Sequence, residues 1–342
     1  MQLNLTGRSV LVLDGSAPAA VTVSALLHKR ALVTVAAPAV CAALEDLALR
    51  GRLTWVTTPV DESRFDVVLR TVAPSEAGSA AAVRTAGHVT LVGAGPGDPG
   101  LVTVAGRAAV KQADVILTDR LAPWEALKWA RPDAEIIDVT KIPYGRSTSQ
   151  EQINALLVEH ARAGRHVVRF KGGDSYVFGR GFEEVTACAE AGVPTTVIPG
   201  VTSSIAAPEL AGIPVTHRGL VQGFTVISGH VPPGHPDSSI DYAALARTGT
   251  GTTLVVLMGM RNLAAIADAL VAAGLDRNTP CAVVADAASA GQRVLRSTLA
   301  DVVADTAEAG IGAPAVTVIG HVVALGPAAV QAVATASRCS DT

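Results

Sequence analysis

The architecture expected of the chain is set by the segment His88-Val89-Thr90-Leu91-Val92-Gly93-Ala94-Gly95-Pro96-Gly97-Asp98-Pro99. Five residues of buried-strand character run into a turn of three glycines and two prolines. Glycines let a ligand approach the backbone, and prolines stiffen the loop. The turn is not a Walker A loop, because no Lys-Ser/Thr pair follows it. It is a poor dinucleotide fingerprint, because Asp98 stands at the third-glycine place.

Outward from this stretch, strands and helices alternate. Val115–Thr118, Glu135–Val139, Val167–Phe170 and Thr195–Ile198 are predicted strands. Residues 149–163 are a predicted helix, with Ser149 as N-cap and Gly164 beyond its end. Further strands are predicted at 224–228, 253–257, 282–285 and 315–319, with a helix over 262–273. This pattern predicts two α/β lobes, 88–217 and 221–326, within a domain of residues 86–342. The tail, 328–342, is predicted as a fraying helix.

Residues 1–85 carry a separate βαβ pattern. Arg8–Leu13 is a strand, Asp14-Gly15-Ser16 a turn, 19–29 a helix and Leu32–Ala36 a second strand. Trp55-Val56 and Phe65–Leu69 are predicted as further strands, and residues 74–87 as a linker. A dinucleotide site at the first turn wants G-x-G-x-x-G and an acidic residue after the second strand. Here only Gly15 remains, Pro18 removes an amide, and Ala36-Ala37-Pro38 stands where the acid should be. The segment is expected to be a Rossmann-like remnant that binds no NAD.

Composition narrows the class. The chain has 342 residues, 49% hydrophobic, 17% charged and only 3% aromatic, with net charge -3. Mean hydropathy is +0.39, high enough to raise the question of a membrane. The best apolar run, Ala31–Leu44, contains Pro38 and stops at Glu45-Asp46, so it predicts strand, turn and helix start instead of a span of about 20 residues. The acidic balance argues against a nucleic-acid partner. The start, Met1–Leu5, has no basic region followed by an apolar core, so no signal peptide is expected. Cys41, Cys188, Cys281 and Cys339 are widely spaced, which predicts reduced thiols and a cytoplasmic protein. No His or Cys pair has metal-ligand spacing, so no metal site is predicted.

Two more glycine turns follow predicted strands: Lys171-Gly172-Gly173-Asp174-Ser175-Tyr176-Val177-Phe178-Gly179-Arg180-Gly181 and Pro199-Gly200-Val201-Thr202-Ser203-Ser204. Three such turns at strand C-terminal ends should converge on one crevice, where open α/β sheets bind ligands.

These residues resemble the tetrapyrrole methyltransferases, and within them the uroporphyrinogen-III C-methyltransferases. The resemblance spans 88–326 and rests on Val92–Pro99, Thr118-Asp119-Arg120-Leu121, Lys171–Asp174 with Val177–Gly181, Pro199–Ser203, Gly212–Arg218, Ser228-Gly229-His230 and Met258-Gly259. It implies an α/β, two-lobed class III methyltransferase fold, preceded here by the partial Rossmann-like domain. It implies S-adenosylmethionine as methyl donor, uroporphyrinogen III as substrate, precorrin-2 as product, and usually a homodimer. Residues 1–85 resemble the beginning of the precorrin-2 dehydrogenase module of fused sirohaem synthases, with most of that module missing.

Site residues follow by resemblance. The donor's site would be lined by Pro96, Gly172, Gly173, Asp174, Val177, Thr202, Ser203, Met258 and the backbone of Ala287. Asp119 matches the proton acceptor and Lys141 the proton donor. A substrate with eight carboxylates calls for guanidinium groups, and Arg120, Arg146, Arg180 and Arg218 lie beside the matching motifs. For Asp119, a salt bridge to Arg120 or an N-cap ahead of Pro123 is the structural alternative. His217 and His230 are further candidates for hydrogen bonds to the substrate.

Several positions depart from the family pattern. Ser175-Tyr176 replaces Pro-Phe and is expected to loosen its turn. Thr140-Lys141-Ile142-Pro143-Tyr144 replaces Gly-Lys-Arg-Ala-Gly. Gly219, Ala285 and Ala287 replace an Asp, a Glu and a Gly. A methyltransferase acting on a later precorrin, a fused enzyme that keeps dehydrogenase activity, and a non-catalytic tetrapyrrole carrier are the alternatives.

Overall fold

A computed structural model describes residues 5–15, 19, 22–23, 26–27, 29–40, 42–49, 51–70, 87–139, 148–248 and 251–325. The chain divides into two compact units, 1–82 and 83–342. The predicted tail, most of the predicted linker, Lys141 and Arg146 lie outside the described residues.

The first unit holds a parallel sheet of β1 (Ser9–Val12), β2 (Leu32–Ala36), β3 (Thr54–Val56) and β4 (Val67–Leu69), in the order β3-β2-β1-β4. The helix α1 (Ala42–Leu49) follows β2, so the run 31–44 resolves into strand, turn and helix start. Gly15 has a packing reason: a Cβ there would collide with the Ala39 carbonyl and lie 3.0 Å from Val40 Cα.

The second unit begins with a five-stranded, wholly parallel sheet. Its strands are β5 (His88–Gly93), β6 (Val115–Thr118), β7 (Glu135–Asp138), β8 (His166–Lys171) and β9 (Thr195–Ile198), in the order β7-β6-β8-β5-β9. The helices α3 (Gln150–Arg162) and α4 (Gly181–Glu190) cover the face carrying Val89, Leu91, Leu117 and Val167. α2 (Val104–Gln112) and a 3-10 segment, Trp124–Trp129, cover the face carrying Val92, Ile116, Val168 and Phe170. Apolar side chains on both faces are what strands buried on both sides require. Ser149 caps α3 in a full capping box: its hydroxyl accepts from the Gln152 amide at 3.2 Å, and the Gln152 side chain accepts from the Ser149 amide at 2.9 Å.

The second lobe has β10 (Gly223–Ser228), β11 (Thr252–Leu257), β12 (Pro280–Ala285), β13 (Arg293–Thr298) and β14 (Ala315–Ile319), in the order β10-β11-β14-β12-β13. This sheet is mixed. β14 runs antiparallel to both neighbours, so β10, β11 and β12 end at the same edge. The helices α6 (Tyr242–Thr248), α7 (Leu263–Ala272) and α8 (Val302–Glu308) pack one face through Ile266, Leu270 and Val302. The helix α5 (Ser203–Leu210), which follows the first sheet in sequence, lays Ala207 against Val255, Val316 and Val318 on the other face. That packing ties the lobes together. Among the described residues, no helix is long and apolar enough to cross a membrane.

Candidate functional site

The turns after β5, β8 and β9 touch one another through their glycines. Gly93 and Gly200 approach so closely that a Cβ on Gly93 would lie 2.6 Å from Gly200 Cα and 2.9 Å from the Gly173 carbonyl. Gly95 and Gly173 pair as a two-residue bridge, with N···O distances of 3.1 and 2.7 Å. Asp174 pins two turns together: one carboxylate oxygen accepts from the Gly200 amide at 2.9 Å, the other from the Tyr176 amide at 2.8 Å. So each oxygen of the predicted donor-site carboxylate already holds a backbone amide.

Ser175 stands where the family pattern has proline. It is buried, its carbonyl accepts from the Gly181 amide at 2.9 Å, and Gly179 and Gly181 are glycines because a Cβ at either would collide with it. Thr202 spends its hydroxyl capping α5, accepting from the Ser204 amide at 3.3 Å and bonding the Ser204 hydroxyl at 3.0 Å. Ser203 opens that helix, where the Thr202 hydroxyl takes the Ser204 amide and the Thr202 carbonyl takes those of Ile205 and Ala206, at 3.2 and 3.0 Å. Gly173, at φ +70°, has its Cβ direction 3.9 Å from the Ser203 amide nitrogen.

The second lobe meets this cradle. Gly97, at φ +146°, brings its Cβ direction to 3.4 Å from the Ala287 carbonyl. Met258 follows β11 at φ 57° and is half-exposed. Five of the six described non-glycine residues with positive φ lie in turns at these strand ends: Phe178, Arg180, Met258, Asp286 and Ala288. Backbone held in that region costs of order 1–3 kcal/mol per residue and gathers at ligand sites. Val177 is partly buried beside Phe178, and Pro96 is partly buried in the first turn.

Asp119 follows β6. It does not pair with Arg120, which is exposed, and it does not cap a helix at Pro123. Its Oδ1 accepts from the Leu121 amide at 3.1 Å and the Gly172 amide at 3.4 Å, and its Oδ2 accepts from Arg169 Nη2 at 3.4 Å. Gly172 is a glycine because a Cβ would lie 2.6 Å from Leu121 Cβ. The Asp119 loop and the β8 turn are thus in contact.

Behind Asp119 is a buried ionic group. Glu184 is fully buried, and its Oε1 accepts from Arg169 Nε and Lys171 Nζ, each at 3.0 Å, and from Gln150 Nε2 at 3.3 Å. Burial, then the neighbouring Arg169 guanidinium, push the Lys171 ammonium below the usual lysine range. Sequence reasoning singled out neither Arg169 nor Glu184. The signal was present: Arg169 and Lys171 alternate along one face of an otherwise apolar strand in the middle of a sheet, where a charge needs a partner.

Arg180 is bound to Glu183 through Nε at 2.8 Å and Nη2 at 2.6 Å. Arg120 and Arg218 are exposed, Arg218 on a turn closed by the two hydrogen bonds of His217 with Val221. His230 is exposed, and its carbonyl accepts from Asn262 at 3.0 Å. No described cluster of His, Cys, Asp or Glu has a metal-binding arrangement.

Comparison with known proteins places the chain in a family. The family model described as Tetrapyrrole (Corrin/Porphyrin) Methylases matches residues 88–303. A protein named Uroporphyrinogen-III C-methyltransferase from Methanocaldococcus jannaschii is 44% identical over 238 residues, covering 69% of this chain and 97% of that protein. Siroheme synthase 1 of Yersinia pseudotuberculosis is 46% identical over 242 residues, covering 71% of this chain, and the chain spans only 50% of that protein's length. Among solved structures, the uroporphyrin-III C-methyl transferase of Thermus thermophilus, complexed with S-adenyl homocysteine, is 41% identical with a TM-score of 0.58; the match covers 70% of this chain and 100% of that one. The chain belongs to the tetrapyrrole (corrin/porphyrin) methylases.

Proposed function

We propose that residues 88–326 catalyse S-adenosylmethionine-dependent C-methylation of uroporphyrinogen III at two pyrrole carbons, giving precorrin-2 for sirohaem or cobalamin synthesis. The observation that carries this reading is the glycine cradle. Gly93 and Gly200 meet where no Cβ fits, Gly173 bridges to Gly95 beside them, Gly97 approaches Ala287 of the second lobe, and the Gly172 amide reaches the Asp119 loop. That cradle fits an adenosyl amino acid: backbone amides and carbonyls suit its polar ends, and apolar neighbours suit its base.

The donor, when bound, supplies a methyl group on a sulfonium that is already electrophilic. Pro96, Gly172, Gly173, Asp174, Val177, Thr202, Ser203, Met258 and the Ala287 backbone hold it. The Ser203 amide, at the N-terminus of α5, favours its carboxylate. The remaining work of the chain is orientation, exclusion of water and removal of a proton. Asp119, about a quarter exposed, takes the proton that the methylated ring carbon must lose. Lys141 is the proton donor in this reading. Arg120, Arg146 and Arg218 meet substrate carboxylates, and Arg180 does so by exchanging Glu183 for one.

The active assembly in this reading is a cytoplasmic homodimer without nucleic-acid or membrane partners. Residues 1–85 are inferred to be a Rossmann-like remnant of a precorrin-2 dehydrogenase module. The strand order β3-β2-β1-β4 supports this, and the Ala39–Val40 backbone packed against Gly15 argues against nucleotide binding there. The deciding experiment is the product mass after incubation with uroporphyrinogen III and S-adenosylmethionine. A gain of two methyl groups is expected; no gain overturns the reading in favour of a later precorrin as substrate.

A further inference from the structure

Asp119, Arg169, Lys171 and Glu184 form a chain of charge running inward from the cleft. Arg169 and Lys171 are buried on β8, and Glu184 is buried in the first turn of α4. Asp119 alone has substantial access to solvent, with 26% of its side chain exposed against 4% for Arg169 and 0% for Glu184. Formal charges balance within the group, two positive and two negative.

The guanidinium is planar, so fixing one edge fixes the direction of the other. Glu184 Oε1 holds the Nε edge at 3.0 Å. The Leu117 and Phe170 carbonyls accept from Nη1, each at 3.3 Å. Nη2 is thereby aimed at Asp119 Oδ2. A buried ion pair is weak evidence for stability, because desolvation offsets most of its attraction. A specific orientation is the better account of why this one exists.

We propose that Glu184 is a positioning residue for Asp119, acting through Arg169, and that Lys171 balances its charge. This rests on the reading of Asp119 as proton acceptor. Without Glu184, Asp119 would face the two β8 cations alone and the guanidinium would lose the partner on its Nε edge. The charged groups near Asp119 include Arg169 and Lys171 from β8, Glu184 from α4, its exposed neighbour Arg120, and exposed Asp138 at the end of β7. Gln150 from α3 completes the polar contacts of Glu184.

The test is steady-state kinetics of the full chain against pH, with uroporphyrinogen III and S-adenosylmethionine. Glu184→Gln is expected to lower kcat about tenfold, with KM for the donor within about twofold. Its acidic limb should extend to lower pH, because a buried negative charge beside a carboxylate is gone. Lys171→Met should move that limb to higher pH. Opposite displacements are a signature that loss of packing does not produce. If Glu184→Gln does not fold, as judged by near-UV circular dichroism, Glu184→Asp and Lys171→Met carry the test. Asp119→Asn separates the two ideas. If it keeps parental rate, the proton-acceptor reading fails. If it is inactive while the folded Glu184 and Lys171 variants keep the parental kcat and pH profile, the positioning role alone is overturned.

Discussion

Asp174 and Gly200 are joined across two turns by a hydrogen bond of 2.9 Å, from the Gly200 amide to one carboxylate oxygen. The other oxygen holds the Tyr176 amide at 2.8 Å. The carboxylate therefore sets the shape of the cradle before any ligand arrives. A hydrogen bond to a charged acceptor contributes about 1.5–3 kcal/mol, so Asp174→Ala is expected to weaken S-adenosylhomocysteine binding by about 10- to 100-fold. Isothermal titration calorimetry measures this directly. Unchanged affinity would mean that the turns keep their shape without the pin.

The strand ladder of the first lobe was legible because β5, β6, β8 and β9 are short apolar runs, three of which, β5, β8 and β9, end in glycine turns. β13 was not foreseen. It is an edge strand with Arg293 and Arg296 and no buried residue, so its sequence lacks the apolar run that marks a strand. The site was legible where a motif is local, as in the turn 171–181. It was not legible where partners are distant. Asp119 stands next to Arg120 in sequence but pairs with Arg169, 50 residues on, and Glu184 reads as an ordinary acid in a helix's first turn. Which charge meets which is decided by the order β6-β8-β5, and no spacing along the chain encodes it.

His166 gives a pH dependence to stability. Its ring stacks on His88 with centroids 4.1 Å apart and bonds the Thr90 hydroxyl at 3.0 Å. Burial, then the charge of His88, hold its imidazole below the usual histidine range. The unfolded chain then binds this proton more readily than the native one, so stability is complete above about pH 6.5 and falls as pH drops through that value. Urea midpoints measured from pH 8 to pH 5 should decline, and His166→Gln should flatten the decline. An equally steep decline in the variant would assign it to other groups.

Cys281 should be inert while the fold is intact. Burial pushes its thiol up to about 12, and Cys188 is buried and raised in the same direction. The thiolate is the reactive form, so both are doubly protected from alkylation. In a Cys41→Ser, Cys339→Ser background, thiol titration near pH 8 should show no fast phase, and two thiols should react once denaturant is added. A fast phase without denaturant would place one of them at an accessible surface.

Met258 separates stability from binding. It holds a left-handed backbone, φ 57°, at the end of β11, and its side chain is half-exposed, so little apolar burial depends on it. A non-glycine residue in that region costs roughly 1–2 kcal/mol, part of which glycine would return as greater freedom of the unfolded chain. Met258→Gly is therefore expected to raise stability by up to about 1 kcal/mol in urea unfolding. In the proposed reading of the site, the same change also removes an apolar side chain from around the donor. Binding of S-adenosylhomocysteine should weaken several-fold even as the midpoint rises. A variant both less stable and equally tight would show that this backbone is held by its neighbours at no cost, and that the thioether lies away from the ligand.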